Sequence, residues 1–175
     1  MLLEVQQLDR VPRLGFSLRG VANPESVTEH SWHLAFLVWS LAPKIPELDA
    51  PKALEMALIH DLAELRLGDL PFTASRYLPP GAKSQAESKA ITDLAAPLGD
   101  KARKILDEYQ EGVTLEARMV KACDKLQMML KVAAYERSGA RGLSEFWHNS
   151  SNFPNHGIGP IDELMNELRE RRASG

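Results

Sequence analysis

The segment from Val27 to Leu41 sets the strongest constraint on the fold, because as a helix it is apolar almost all the way round. Val27, Leu34, Leu37, Val38 and Leu41 recur at helical spacing on one face, and Trp32, Phe36 and Trp39 occupy the other. A helix of that kind belongs in the middle of a domain, between other helices. One polar residue, His30, interrupts the first face.

The punctuation around it is helical throughout. Ser26 followed by Glu29 has the spacing of a capping box, and Pro43 and Pro46 close this first helix. A second is predicted over 51–65, with Asp49 as N-cap and Gly68 past its end. Others are expected over 84–96 and 101–111. A long helix over 114–138 is halted by Gly139 and Gly142, and an amphipathic surface helix follows over 161–172. No run of four or more residues alternates with the period of a strand, and no repeat of fixed period occurs. The expectation is a single all-α domain, a helical bundle spanning 1–175.

Bulk properties narrow the class of partner. The chain has 175 residues and a net charge of −3, so no basic surface is available for a nucleic-acid polymer. A small phosphorylated ligand needs only a few local cations and stays open. The lone cysteine, Cys123, rules out an intrachain disulfide and reads as a small buried apolar residue in a reducing compartment. The first residues lack the basic start and apolar core of a signal peptide, and no uncharged stretch approaches the roughly 20 residues of a membrane helix. A cytoplasmic protein without membrane contact is expected.

Polar residues fall where a core should be. In the second helix an apolar run ends in His60-Asp61, with Glu64 four and three residues further on, so the three project to overlapping faces. On the long helix Ala117, Val120 and Met128 form an apolar line broken by Asp124. An ionised carboxylate in such a stripe is costly without a cation or several donors. If the stripes meet in one core, His30, His60, Asp61 and Asp124 meet too. That mixed nitrogen and oxygen set suits a divalent ion: Co²⁺, Mn²⁺, Mg²⁺, Fe²⁺ or Zn²⁺. On an octahedral ion it leaves positions for water and a phosphate oxygen, an open site of the catalytic kind. Each residue alone has a plainer reading. A histidine on an apolar face can be a hydrogen-bonded core residue, and Asp124 can pair with Arg118, Lys121 or Lys125. His33 is read as a supporting residue, and His148 and His156 as surface residues.

A site of this composition has the parts for phosphomonoester hydrolysis, which needs charge neutralisation, a positioned nucleophile and a protonated leaving group. Glu64 is placed as base or water-orienting group, with a structural salt bridge as the alternative. Arg13 offers a bidentate contact to phosphate or, more plainly, a solvated surface charge. Lys121, one turn before Asp124, adds a second cation, and Asp69 after Gly68 is either a functional acid or a turn residue.

At these residues the chain resembles the HD-domain superfamily, defined by the pattern H…HD…D, and within it the 5′-deoxynucleotidase branch. The resemblance is carried by 11–16 (VPRLGF), 24–31 (PESVTEHS), 60–64 (HDLAE), 68–71 (GDLP), 120–125 (VKACDK) and Tyr135-Glu136. It implies an all-α fold, commonly a homodimer, and a metal-activated water that releases phosphate from deoxynucleoside 5′-monophosphates. By resemblance His30, His60, Asp61 and Asp124 hold the metal, Glu64 orients or deprotonates the water, and Asp69 contacts substrate. Arg13 corresponds to an arginine on the phosphate. Phe16 stands where some members carry a tryptophan against the deoxyribose, which leaves the sugar preference open. Related alternatives are an HD-type hydrolase of a nucleotide second messenger, of a nucleoside triphosphate or of another phosphomonoester. The Gly-Tyr-Pro motif usual in cyclic-dinucleotide phosphodiesterases is absent. A non-catalytic metal-binding helical protein is the alternative from another class.

Overall fold

The first long helix begins where the capping box places it. Glu29 N donates to Ser26 Oγ at 3.2 Å and Ser26 N donates to Glu29 Oε2 at 2.7 Å, so two otherwise unpaired amides at the helix start are satisfied. In this computed structural model, which describes residues 1–173, six helices of ten or more residues carry the fold. They are α1 (Val27–Leu41), α2 (Ala50–Ile59), α3 (Ala82–Ala95), α4 (Asp100–Glu111), α5 (Leu115–Arg137) and α6 (Gly159–Ala173). Short helical turns join them, among them Leu14–Ser17, Glu64–Leu67, Phe72–Ser75 and Ser144–His148, none of which the sequence pattern announces. No strand occurs among the described residues, which hold one isolated antiparallel bridge between Pro12 and Ser26. The expected all-α architecture is the one observed. No helix among those residues is long and apolar enough to cross a membrane.

Helix α5 is the axis of the bundle, packed against α1, α2, α4 and α6. Its buried residues Met119, Val120, Ala122, Cys123, Leu126 and Met129 face Leu34 and Val38 of α1 and Met56 and Ala57 of α2 in one core. Ile91 and Leu94 of α3 meet Leu62, Ala63 and Leu106 in a second, smaller cluster. Both clusters abut the segment 59–64, and the functional residues lie there.

Two expectations need correction. Helix α2 stops at Ile59 instead of running to 65, for a reason that belongs to the site. And α1 is not covered all round: Trp32, Phe36 and Trp39 are 61%, 51% and 62% exposed. Their rings follow one another along the outer face, Trp32 stacked on Phe36 at 5.6 Å and Phe36 tilted against Trp39 at 5.7 Å between centroids. The neighbouring helices bury the face of Val27, His30, Leu34, Val38 and Leu41, and no element among the described residues covers the other.

A polar staple joins the starts of α2 and α5 to the end of α4. Glu116 is buried and accepts from the Asp49 amide at 3.0 Å, and Lys52 Nζ reaches Glu116 at 3.1 Å and Glu108 at 2.9 Å. Burial works to raise the Glu116 carboxyl, but the Asp49 amide and Lys52 outweigh it and hold it below its ordinary value of 4.5. Its contribution is therefore complete above pH 4.5 and is lost as pH falls through the lower folded value. Glu116→Gln is expected to cost about 1–2 kcal/mol at pH 7. Urea unfolding of both proteins should show that difference shrinking towards pH 3.

Candidate metal centre

At the end of α2 the helical ladder tightens. Leu62 N bonds to Ile59 O at 3.0 Å and Glu64 N to Asp61 O at 2.9 Å, three-residue spacings in place of four. His60 drives part of this change, because its Nδ1–H donates to Ala57 O at 2.8 Å, the carbonyl that Asp61 N would use in a continuing helix. On an unbroken helix adjacent residues diverge by about 100°. The break lets His60 and Asp61 converge.

A carbonyl can only accept, so His60 carries a proton on Nδ1 and turns Nε2 inwards, the nitrogen left to face a ligand. His30 does the same by other means, its Nδ1–H donating to Gln127 Oε1 at 2.7 Å. The two rings lie 5.3 Å apart, and both Nε2 atoms are buried without a hydrogen-bond partner. Ligand atoms of His30, His60 and Asp124 all fall within 4.8 Å of one another. Asp61 Oδ2 stands 3.1 Å from His60 Nε2 and 3.6 Å from His30 Nε2, and Asp124 Oδ1 stands 3.2 Å from His30 Nε2. The four residues singled out in the sequence thus come together from α1, the broken end of α2, and α5.

Arg13 reaches this cluster because its strand-like segment is pinned to the start of α1. Arg13 N donates to Glu25 O and Val27 N to Val11 O, both at 2.9 Å. Its Nη1 lies 3.3 Å from Asp61, 3.2 Å from Asp69 and 3.9 Å from Glu64. Burial works against the charged guanidinium, but Asp61, Asp69, Asp124 and Glu64 outweigh it and raise its pKa. Asp69 also accepts from the Leu14 amide at 2.7 Å, so it fastens the Arg13 segment to the loop beyond Gly68.

The electrostatics call for more positive charge than one arginine gives. Asp61 and Asp124 are held low despite burial, Asp61 chiefly by His60 and Asp124 chiefly by His30. Glu64 behaves oppositely: burial, then Asp61, push its carboxyl up to about 10, with Arg13 opposing. Its Oε2 is buried with no hydrogen-bond partner. Half-buried carboxylates beside two inward-facing imidazole nitrogens match the donor set of a borderline divalent cation.

His60, Asp61 and Asp124 line a cavity of about 420 Å³, within the size range of small-molecule sites, and His30 lies buried behind them. Its walls include Arg13, Glu64, Asp69, Lys83, Tyr109 and Lys125, with Phe72 at the rim. Two expected residues sit differently from their neighbours. Phe16 is 2% exposed, packed against Tyr135 and Phe146 at 5.2 and 5.3 Å, so it backs the wall and shows little surface. Lys121 does not line the cavity. Its Nζ lies over the Tyr109 ring and donates at 3.3 Å to Gln110 O in the last turn of α4, where a cation meets the negative end of the helix. Lys125 lines the cavity instead.

Residues 5–159 match the sequence model of the HD domain. The chain belongs to the HD domain family. In this HD domain the His-Asp pair is His60-Asp61. The human protein named 5′-deoxynucleotidase HDDC2 is 31% identical over 97% of this chain and 83% of its own length. The 5′-deoxynucleotidase HDDC2 of Dictyostelium discoideum is 35% identical over 75% of this chain and 73% of its own. Among solved structures, a conserved hypothetical protein from Pyrococcus furiosus superposes with a TM-score of 0.85 at 39% identity, covering 97% of each chain.

Several residues of this HD domain's site were not picked out from sequence. Gln127 follows Asp124 by three positions and is buried, so the logic that selected Asp124 applied to it as well. Glu25 is 3% exposed yet lies before α1, where no helical pattern marks it. Tyr109, edge-on to His60 at 5.5 Å, gave no signal in an amphipathic helix. His156, expected at the surface, is half-buried, whereas His148 is exposed.

Proposed function

We propose that the chain is a metal-dependent phosphohydrolase that releases phosphate from nucleoside 5′-monophosphates, with deoxynucleotides as the first candidates. The observation that carries this reading is the pair of buried, partnerless Nε2 atoms facing Asp61 and Asp124 beneath an arginine-bearing cavity. The curated relatives named 5′-deoxynucleotidase support the substrate class.

In this reading His30, His60, Asp61 and Asp124 hold one divalent ion. The ion supplies positive charge to the phosphoryl oxygens and acidifies water. Arg13 orients the phosphate with its planar fork, and Glu64, facing the same space, aligns the attacking water and, once the ion's charge brings its raised carboxyl down, takes its proton. Asp69 serves chiefly by holding Arg13 and Leu14 in place. Lys125 and Lys83, which line the cavity, take the charge-balancing part that the sequence suggested for Lys121. Phe16 shapes the sugar pocket from behind. The aromatics on the outer face of α1 give a homodimer an apolar surface to bury. A cytoplasmic setting fits a single, buried, unpaired Cys123.

Phosphate release from dAMP, dCMP, AMP and dGTP, measured after chelation and re-addition of Co²⁺ or Mn²⁺, tests the assignment. The monophosphates are expected to turn over and the triphosphate to persist. Release from the triphosphate alone would move the chain to another substrate class of HD hydrolase. A metal-loaded protein inert on every phosphomonoester would make it a non-catalytic metal-binding protein.

A further inference from the structure

The two inward-facing histidines are held by different devices. His60 leans on a backbone carbonyl, which no side-chain change can remove. His30 leans on a side chain, Gln127, and the direction of that contact depends on residues further out. An amide can present either its oxygen or its nitrogen, so Gln127 alone does not decide which nitrogen of His30 carries the proton.

Glu25 decides it. Gln127 Nε2 donates to both Glu25 oxygens, at 2.9 and 3.2 Å, and a carboxylate offers no proton to the amide oxygen. Gln127 Oε1 is thereby turned to His30, which must answer with Nδ1–H and leave Nε2 bare. Glu25 is itself fixed. Lys131 Nζ lies 3.2 Å from its Oε2, His33 Nδ1 lies 3.5 Å from the same oxygen, and its own amide donates to Tyr135 Oη at 2.7 Å. Each link has one workable orientation.

We propose that Gln127 and Glu25 are positioning residues for the metal centre, setting the tautomer of His30 so that its Nε2 lone pair is presented to the ion. This rests on the metal-centre reading above. A hydrogen-bonded acceptor behind an imidazole ligand fixes its ring and tautomer, and loss of such partners typically costs about 10–100-fold in metal affinity.

Metal-stripped wild type and Gln127→Met, which keeps the volume and removes the hydrogen bonds to His30 and Glu25, are titrated with Mn²⁺ by calorimetry. Co²⁺ absorption spectra and the thermal midpoint of the metal-free protein are recorded beside them. Gln127→Met is expected to bind Mn²⁺ about 10–100-fold more weakly with an altered Co²⁺ spectrum. The exchange Glu25→Gln with Gln127→Glu keeps the charge and again gives His30 an acceptor, so it is expected to restore affinity to within a few-fold of wild type. If Gln127→Met fails to fold, the ¹⁵N shifts of His30 in Zn²⁺-loaded wild type decide alone: a protonated Nδ1 is required, and a protonated Nε2 overturns the inference. Equal Mn²⁺ affinity and an unchanged spectrum in Gln127→Met overturn it too. A wild type that takes up no metal overturns the underlying metal-centre reading instead.

Discussion

Replacing Asp61 by asparagine is expected to lower phosphate release by about 10³-fold or more and to abolish the thermal stabilisation that Mn²⁺ gives the wild type. The size of the effect follows from where Oδ2 stands. It is 3.1 Å from His60 Nε2, 3.6 Å from His30 Nε2 and 3.3 Å from Arg13 Nη1, so one atom stands against both imidazoles and the arginine together. An amide keeps the shape but carries no charge, and its NH₂ group can turn a donor towards the metal position. Differential scanning fluorimetry with and without Mn²⁺, beside the phosphate assay, separates lost binding from lost chemistry. An Asp61→Asn protein that still gains stability from the metal and still turns over within tenfold of wild type would remove Asp61 from the centre.

Glu64→Gln should have nearly as large an effect on turnover and none on metal uptake. Loss of a general base costs about 10²–10⁴-fold, while the four residues assigned to the ion are untouched. The same variant has a signature in stability. In the metal-free protein burial, then Asp61, raise the Glu64 carboxyl from 4.5 to about 10. Between those two pH values the folded chain binds more protons at this group than the unfolded chain does. Its contribution to stability is therefore complete below 4.5 and is lost as pH rises towards 10. Urea midpoints taken in chelator from pH 5 to pH 9 are expected to fall less steeply for Glu64→Gln than for wild type. Added metal, whose positive charge favours the ionised carboxyl, is expected to flatten the wild-type slope in the same way. Identical slopes for the two metal-free proteins would argue that Glu64 is not a strained carboxyl at all.

What the sequence makes legible here is what local chemistry decides. The Ser26–Glu29 capping box, the Asp49 N-cap and the extent of α5 are each set by local sequence, and they appear as read. The convergence of His30, His60, Asp61 and Asp124 is legible for a different reason: polar groups in apolar stripes must find one another. The break after Ile59 is not legible, because 51–65 is well patterned for one helix and the contact of His60 with Ala57 that helps to interrupt it leaves no mark in that pattern. The outer face of α1 misleads for a related reason. Helical pattern reports which residues are apolar, and says nothing of whether this chain or a second one covers them. Lys121 misleads because a long side chain one turn from Asp124 can swing either way, and the carbonyl end of α4 draws it off.

The tight turn from Ala57 to Glu64 also bears on how chains of this kind can vary in length. Two fixed contacts span it, His60 to Ala57 and Glu64 to Asp61, and between them they index the His-Asp pair against the rest of the helix. One extra or missing residue there would swing the pair by about 100° out of the cavity. The proline-rich connection at 76–81, ahead of α3, carries none of the residues assigned to the ion and can absorb a change of register. Insertions and deletions among kindred chains should therefore gather in the second stretch and spare the first.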